Sequence, residues 1–229
     1  MASRLVPPDV VARLARSPEP AARWIALAVL AGRPPTDAAV VGAHADVVAD
    51  PLTEDLLGRL GTWEDPPPIS GHDKPAFAPN LLALLADMGV TARDDARIAA
   101  VLDAMLAHQA DDGRFLATSA NRANPAGAWA ALPCDSHAIL ETLARAGLGD
   151  DPRVVRAFDH LAETVTGTPL GPAWLCVPDP VAPFRGPGRK SDPCPQVTLE
   201  GLRAFSYLAP DRRPPALAHV ARTPLEVWR

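Results

Sequence analysis

Proline decides what this chain can fold into. Its 27 prolines cluster at 7–8, 34–35, 66–68, 183–195 and 214–215, and the stretches between them are apolar and periodic. A proline inside a helix removes a backbone donor and clashes with the preceding turn. The clusters therefore mark helix ends, and the pattern predicts many helices joined by proline-marked turns.

The residue types between the prolines favour helix over strand. Ala, Leu, Arg, Glu and Asp dominate, aromatic residues are 5%, and alternating Val/Ile/Thr runs are absent, so an all-α fold is expected. Residues 1–229 read as a single domain with N-terminal helices over 1–60, an ordered loop over 61–79 and helix pairs over 80–229. Ser17 is placed to cap a first helix through Leu30, with Trp24, Leu27, Ala28 and Ala31 at i, i+3, i+4, i+7. Thr36 is placed to cap a second helix through Val47, and 51–60 a third. Pro66-Pro67-Pro68 cannot sit within a helix, and a loop this long inside a compact domain is often functional.

A repeat follows. Leu81 to Gly89 is apolar almost all round, and Arg93-Asp94-Asp95 opens an amphipathic helix with Ile98, Val101, Leu102, Met105 and Leu106 on one face. Ile139 to Gly147 repeats the first half; Asp150-Asp151-Pro152 opens the second, with Val154, Val155, Phe158 and Leu161. A third copy runs from Leu199 to Tyr207, and Pro214-Pro215 open a last helix to Trp228. Each copy is an αα-hairpin whose first helix should be buried on both sides and whose second should turn a polar face to solvent. Stacked hairpins of this kind give a solenoid or an inner-and-outer helical ring.

The turn Gln109-Ala110-Asp111-Asp112-Gly113-Arg114-Phe115 resembles the Gln-x-x-Asp-Gly-x-Trp/Phe turn of squalene-cyclase and protein-prenyltransferase repeats. Trp174 stands at a comparable place in the second copy. The resemblance implies a terpenoid-cyclase or protein-prenyltransferase-like α/α toroid. This chain supplies fewer helix pairs than the full ring, so the toroid is either partial or completed by a homo-oligomer or a second chain. Asp94-Asp95, Asp111-Asp112 and Asp150-Asp151 are bare pairs that do not form the Asp-x-Asp-Asp acid motif, so squalene-type cyclisation is not expected.

Cysteine placement carries the sharpest chemical expectation. Cys134 and Cys194 each stand just before an inner helix, and Cys176 lies on the connection between those helices. Thiolates at helix N-termini are good soft ligands. Cys134, Cys176, Cys194 and His137 would make a four-ligand zinc site, with Asp135 an alternative fourth ligand and an iron–sulfur cluster on the three cysteines an alternative centre. The prenyltransferase resemblance also implies a zinc held by Asp, Cys and His at the end of the ring. Inert buried thiols, or a nucleophilic or redox cysteine, fit the same residues.

Two loops complete the expected site. His72 could act as acid or base with Asp73 orienting it, beside Trp63 and Lys74 as substrate contacts; an Asp-stabilised turn fits the same segment. Arg185, Arg189 and Lys190, set among glycines, could grip an anionic group, or form a solvated basic loop. The combined expectation is a metal-dependent transferase or lyase acting on a small apolar or isoprenoid-like, anion-bearing substrate. The alternative is a non-catalytic helical-repeat binding module.

Charge and hydropathy narrow the partners. The net charge of −5, without a basic face, argues against nucleic acid. No signal peptide or apolar run of membrane-spanning length is present, so a cytoplasmic protein is expected. Three cysteines argue against a disulfide framework.

Overall fold

The structure, a computed structural model, describes residues 6–63, 74–119, 127–177, 179–180 and 192–227. It is mostly helical, and among the described residues no helix is long and apolar enough to cross a membrane. The chain divides into two compact units, one of residues 1–61 and 80–100, the other of 62–79 and 101–229.

The first unit contains α1 (Pro8–Leu14), α2 (Pro20–Trp24), α3 (Ala38–Val48), α4 (Pro51–Gly58), most of α5 (Ala78–Asp87) and the start of α6 (Ala96–Ala107). A π-helical stretch, Ile25–Leu30, prolongs α2. Capping differs from expectation in two places. Ser17 accepts the Glu19 N–H, and α2 starts at Pro20 because proline at the first helical position needs no donor. Asp37, not Thr36, caps α3, its carboxylate accepting the Ala39 and Val40 N–H groups. The α2–α3 pair encloses a core of Leu27, Val40 and Ala43, with Trp24 against it.

Two glycines with nearly the same backbone conformation make a controlled comparison. Gly89 has φ +93° and Gly147 has φ +86°, a region that favours glycine. A Cβ on Gly89 would lie 2.6 Å from the Trp24 ring, whereas one on Gly147 would meet nothing within 4 Å. Gly147→Ala should therefore cost only the backbone term, ~1 kcal/mol. Gly89→Ala should cost ~1–3 kcal/mol more, because the indole must move out of a packed core. Urea unfolding of the two variants measures the difference; equal costs would mean that Trp24 does not lie over Gly89.

The second unit holds the rest of α6, the antiparallel hairpin β1 (Ala117–Ser119) with β2 (Ala128–Ala130), α7 (Pro133–Leu143), α8 (Pro152–Glu163), the antiparallel hairpin β3 (Thr166–Thr168) with β4 (Gly171–Ala173), α9 (Pro195–Ser206), α10 (Leu217–Val220) and α11 (Thr223–Val227). The two short hairpins were not expected, and the last helix is two short ones. The difference in burial expected between the two helices of the second copy is observed. Most of α7 is buried, polar residues included, while α8 buries only the face carrying Val154, Ala157, Phe158 and Leu161. The third copy departs from expectation: Leu199 is exposed and Glu200 is buried, because α9 turns Val197, Glu200, Gly201 and Ala204 inward.

The Gln109–Phe115 turn ties this unit together. The Gln109 side-chain amide donates to Gly113 O at 2.7 Å and to Arg153 O at 2.8 Å, and its oxygen accepts from Arg156. Gly113 has φ +95°, and a Cβ there would lie 2.9 Å from the Arg156 carbonyl oxygen. Phe115 is fully buried. The turn thus clamps the start of α8, with glycine required by both backbone conformation and close approach.

Candidate functional site

α7 and α9 pack closely, and a cavity of about 390 Å³ opens beside α7 in the second unit. Leu140, Ala157, Leu161, Trp174, Leu175 and Val177 give it an apolar wall. The polar residues on its lining are Asp112, Arg114, Ser136, His137, His160, Thr164 and Thr166.

His137 is the most constrained of these. It is buried on α7, and its Nδ1 lies 3.0 Å from Val197 O in the first turn of α9. A carbonyl only accepts, so Nδ1 carries the proton and Nε2 is left as an acceptor. The Trp174 ring meets the imidazole edge-on, centroids 5.9 Å apart. Trp174 is itself fixed by an indole N–H donated to Leu161 O at 2.8 Å. Burial pulls the His137 pKa down to about 4, with the nearby His160 also lowering it and the Val197 carbonyl only partly opposing. The ring is neutral at physiological pH and too weak a base to hold a proton there.

Among the described residues the lining carries one guanidinium, and it is paired with a carboxylate. Arg114 Nε donates to Asp112 at 2.8 Å, Nη2 lies 2.8 Å from the same carboxylate, and Nη1 donates to Ala131 O at 3.0 Å. Burial pushes the Asp112 carboxyl up, but the Arg114 fork outweighs it and leaves the group below the usual carboxylate range. The Ser136 hydroxyl accepts the Phe115 N–H at 3.0 Å. Thr164 Oγ1 donates to His160 O, and Thr166 Oγ1 donates to Thr164 O.

α7 and α9 also carry buried carboxylates. Asp135, Glu141 and Glu200 are all buried. Arg203 Nη2 lies 2.8 Å from Glu141 Oε1, and Gln196 donates to Glu200 Oε1, while Glu200 Oε2 has no hydrogen-bond partner among the described residues. Burial, with the charges of Asp135 and Glu141, pushes Glu200 up to about 8 against the opposing Gln196 bond and Arg203 charge.

The expected metal ligands can be placed against this frame. Cys134 is buried and Cys176 and Cys194 are half-buried, all as free thiols. The Cys194 N–H donates to Trp174 O at 3.3 Å, bringing the Cys176 segment beside the start of α9. Burial raises the Cys134 and Cys194 thiols, and the charge of Cys176 adds to both. These surroundings favour thiol over thiolate, the reverse of the depressed pKa expected at a soft-ligand site. Among the described residues, no group of three or more His, Cys, Asp or Glu side chains is arranged to hold a metal ion. The set Cys134, His137, Cys176 and Cys194 therefore gains no support as a zinc or iron–sulfur centre among the described residues.

Of the remaining expected contacts, Trp63 is buried against Phe77, ring centroids 6.0 Å apart, and Lys74 is exposed. His72, Asp73, Arg185, Arg189 and Lys190 lie outside the described residues. His160, which the sequence pattern did not single out, also lines the cavity. Helical spacing held the signal: Ala157, His160, Leu161 and Thr164 fall at i, i+3, i+4, i+7 and all line the cavity.

No protein-family model, curated protein or solved structure matches the chain.

Proposed function

We propose that this chain binds a small, largely apolar substrate in the cavity beside α7, on stacked αα-hairpins built like part of an α/α toroid. The observation that carries the reading is the cavity itself. Its volume of about 390 Å³ falls within the range of small-molecule sites, and an apolar wall with a few convergent polar groups is their usual composition. The scaffold reading is supported by the Gln109 turn, which clamps the next helix, and by the contrast between buried α7 and one-sided α8. An isoprenoid-like molecule suits such a wall. The zinc and iron–sulfur expectations are not part of the proposal.

Trp174 lines the cavity, so its fluorescence should report occupancy. Geraniol is expected to change the emission saturably with one site per chain. Ala157→Leu, which adds atoms at the wall, should weaken that binding at least tenfold while the variant still melts cooperatively. Undiminished binding in the folded variant would place the ligand elsewhere.

A further inference from the structure

The hydrogen-bonding complement of the cavity is one-sided. His137 Nδ1 is committed to Val197 O at 3.0 Å, so Nε2 presents only a lone pair. Thr164 and Thr166 spend their hydroxyl protons on backbone carbonyls. Arg114 directs one N–H from each of Nε, Nη1 and Nη2 to Asp112 and Ala131 O, and the Asp112 carboxylate offsets its charge. Asp112 is an acceptor by nature. Ser136 Oγ accepts from the Phe115 N–H, which leaves its own proton as a donor; among the described lining residues the His160 ring and the N–H groups left on Arg114 are the other donor-capable groups. The described wall thus presents an acceptor at His137 and a guanidinium neutralised by the carboxylate beside it.

Resting on the binding reading above, we infer that the occupant is a neutral, largely apolar molecule that presents a hydroxyl donor to His137 Nε2. A carboxylate or phosphate oxygen placed there would set lone pair against lone pair. It would also lose its hydration without gaining a free cation from the described wall. A molecule without a donor would leave the imidazole nitrogen unpaired on occupancy, which a buried acceptor resists. The site therefore selects by the proton its ligand can give.

The test uses the full chain and three probes of one shape: geraniol, its methyl ether and the geranate anion. Geraniol is expected to bind roughly tenfold or more tightly than either of the others, the difference that one well-made buried hydrogen bond supplies. His137→Asn supplies the control. The Asn amide nitrogen can occupy the place of Nδ1 and keep the donation to Val197 O, while the acceptor at Nε2 is removed. In that variant the preference for geraniol over the ether should collapse towards unity. Equal binding of alcohol and ether by the native chain, tighter binding of geranate, or a preference retained in His137→Asn overturns the donor rule and leaves the cavity reading standing. Binding of none of the three removes both.

Discussion

Glu200→Gln is expected to make the protein more stable at pH 8 by on the order of 4–5 kcal/mol, and to leave it nearly unchanged near pH 4.5. Glu200 titrates at about 8 in the fold against 4.5 for the free side chain. A carboxyl with a raised folded pKa favours the native state fully below the unfolded value. It loses that contribution as pH rises towards the folded value, because the unfolded chain releases the proton first. The slope reaches ~1.4 kcal/mol per pH unit. The cause is structural: Glu200 is buried on α9 facing Asp135 and Glu141 of α7, with Arg203 as the nearby cation and one carboxyl oxygen without a hydrogen-bond partner among the described residues. Glutamine keeps an acceptor for the Gln196 amide and never ionises. Urea unfolding of both proteins from pH 4.5 to 9 reads the effect of Glu200 with the groups coupled to it, since titrating groups that do not interact with Glu200 cancel in the difference. A difference that stays flat across this range would show that water or a cation reaches Glu200 and keeps its pKa ordinary.

The same carboxylate marks where sequence reasoning stops. The helices were legible because their ends are chemically marked: Asp50-Pro51 and Asp151-Pro152 each pair a capping carboxylate with a proline at the first helical position. The Gln109 turn was legible because its glycine and aromatic residue have local jobs that any context must respect. Leu199 and Glu200 were not legible in the same way. They are neighbours on one helix, and local propensity cannot say which faces inward; packing against α7 decides it. The β1–β2 hairpin pairs Ala117, Thr118 and Ser119 with Ala130, Trp129 and Ala128, a set in which only the central Thr118 and Trp129 favour strand. Its formation reflects tertiary neighbours more than local bias. The topology does bring the Cys176 segment to the start of α9, yet proximity alone does not set the donor geometry or the charge state that a metal needs. His160 and Trp174 were visible as residues, but not as parts of one wall, because the cavity forms between elements that are distant in sequence.

Trp174→Ala is the second substitution expected to have a large effect, costing ~3–5 kcal/mol of stability. The indole is almost wholly buried, stacks on Phe205 with centroids 6.3 Å apart, and meets His137 edge-on. Its N–H ties the segment after β4 to the end of α8 through Leu161 O. It also explains Gly201: a Cβ there would lie 3.0 Å from the indole ring, so α9 keeps a glycine where the ring presses against it. Removing the ring therefore empties a space bordered by α7, α8 and α9, and the loss is a large share of the 5–15 kcal/mol that typically holds a domain folded. Trp174→Phe separates the contributions. It retains most of the stacking and gives up the indole hydrogen bond, so it should cost less, ~1–2 kcal/mol, with the Thr164 hydroxyl still near the Leu161 carbonyl. Urea unfolding should rank the alanine variant well below the phenylalanine variant, and the alanine variant should bind geraniol weakly because the aromatic wall is gone. A cost under about 1 kcal/mol for Trp174→Ala would mean that the ring is not seated between these helices, and the His137 geometry that depends on it would have to be redrawn.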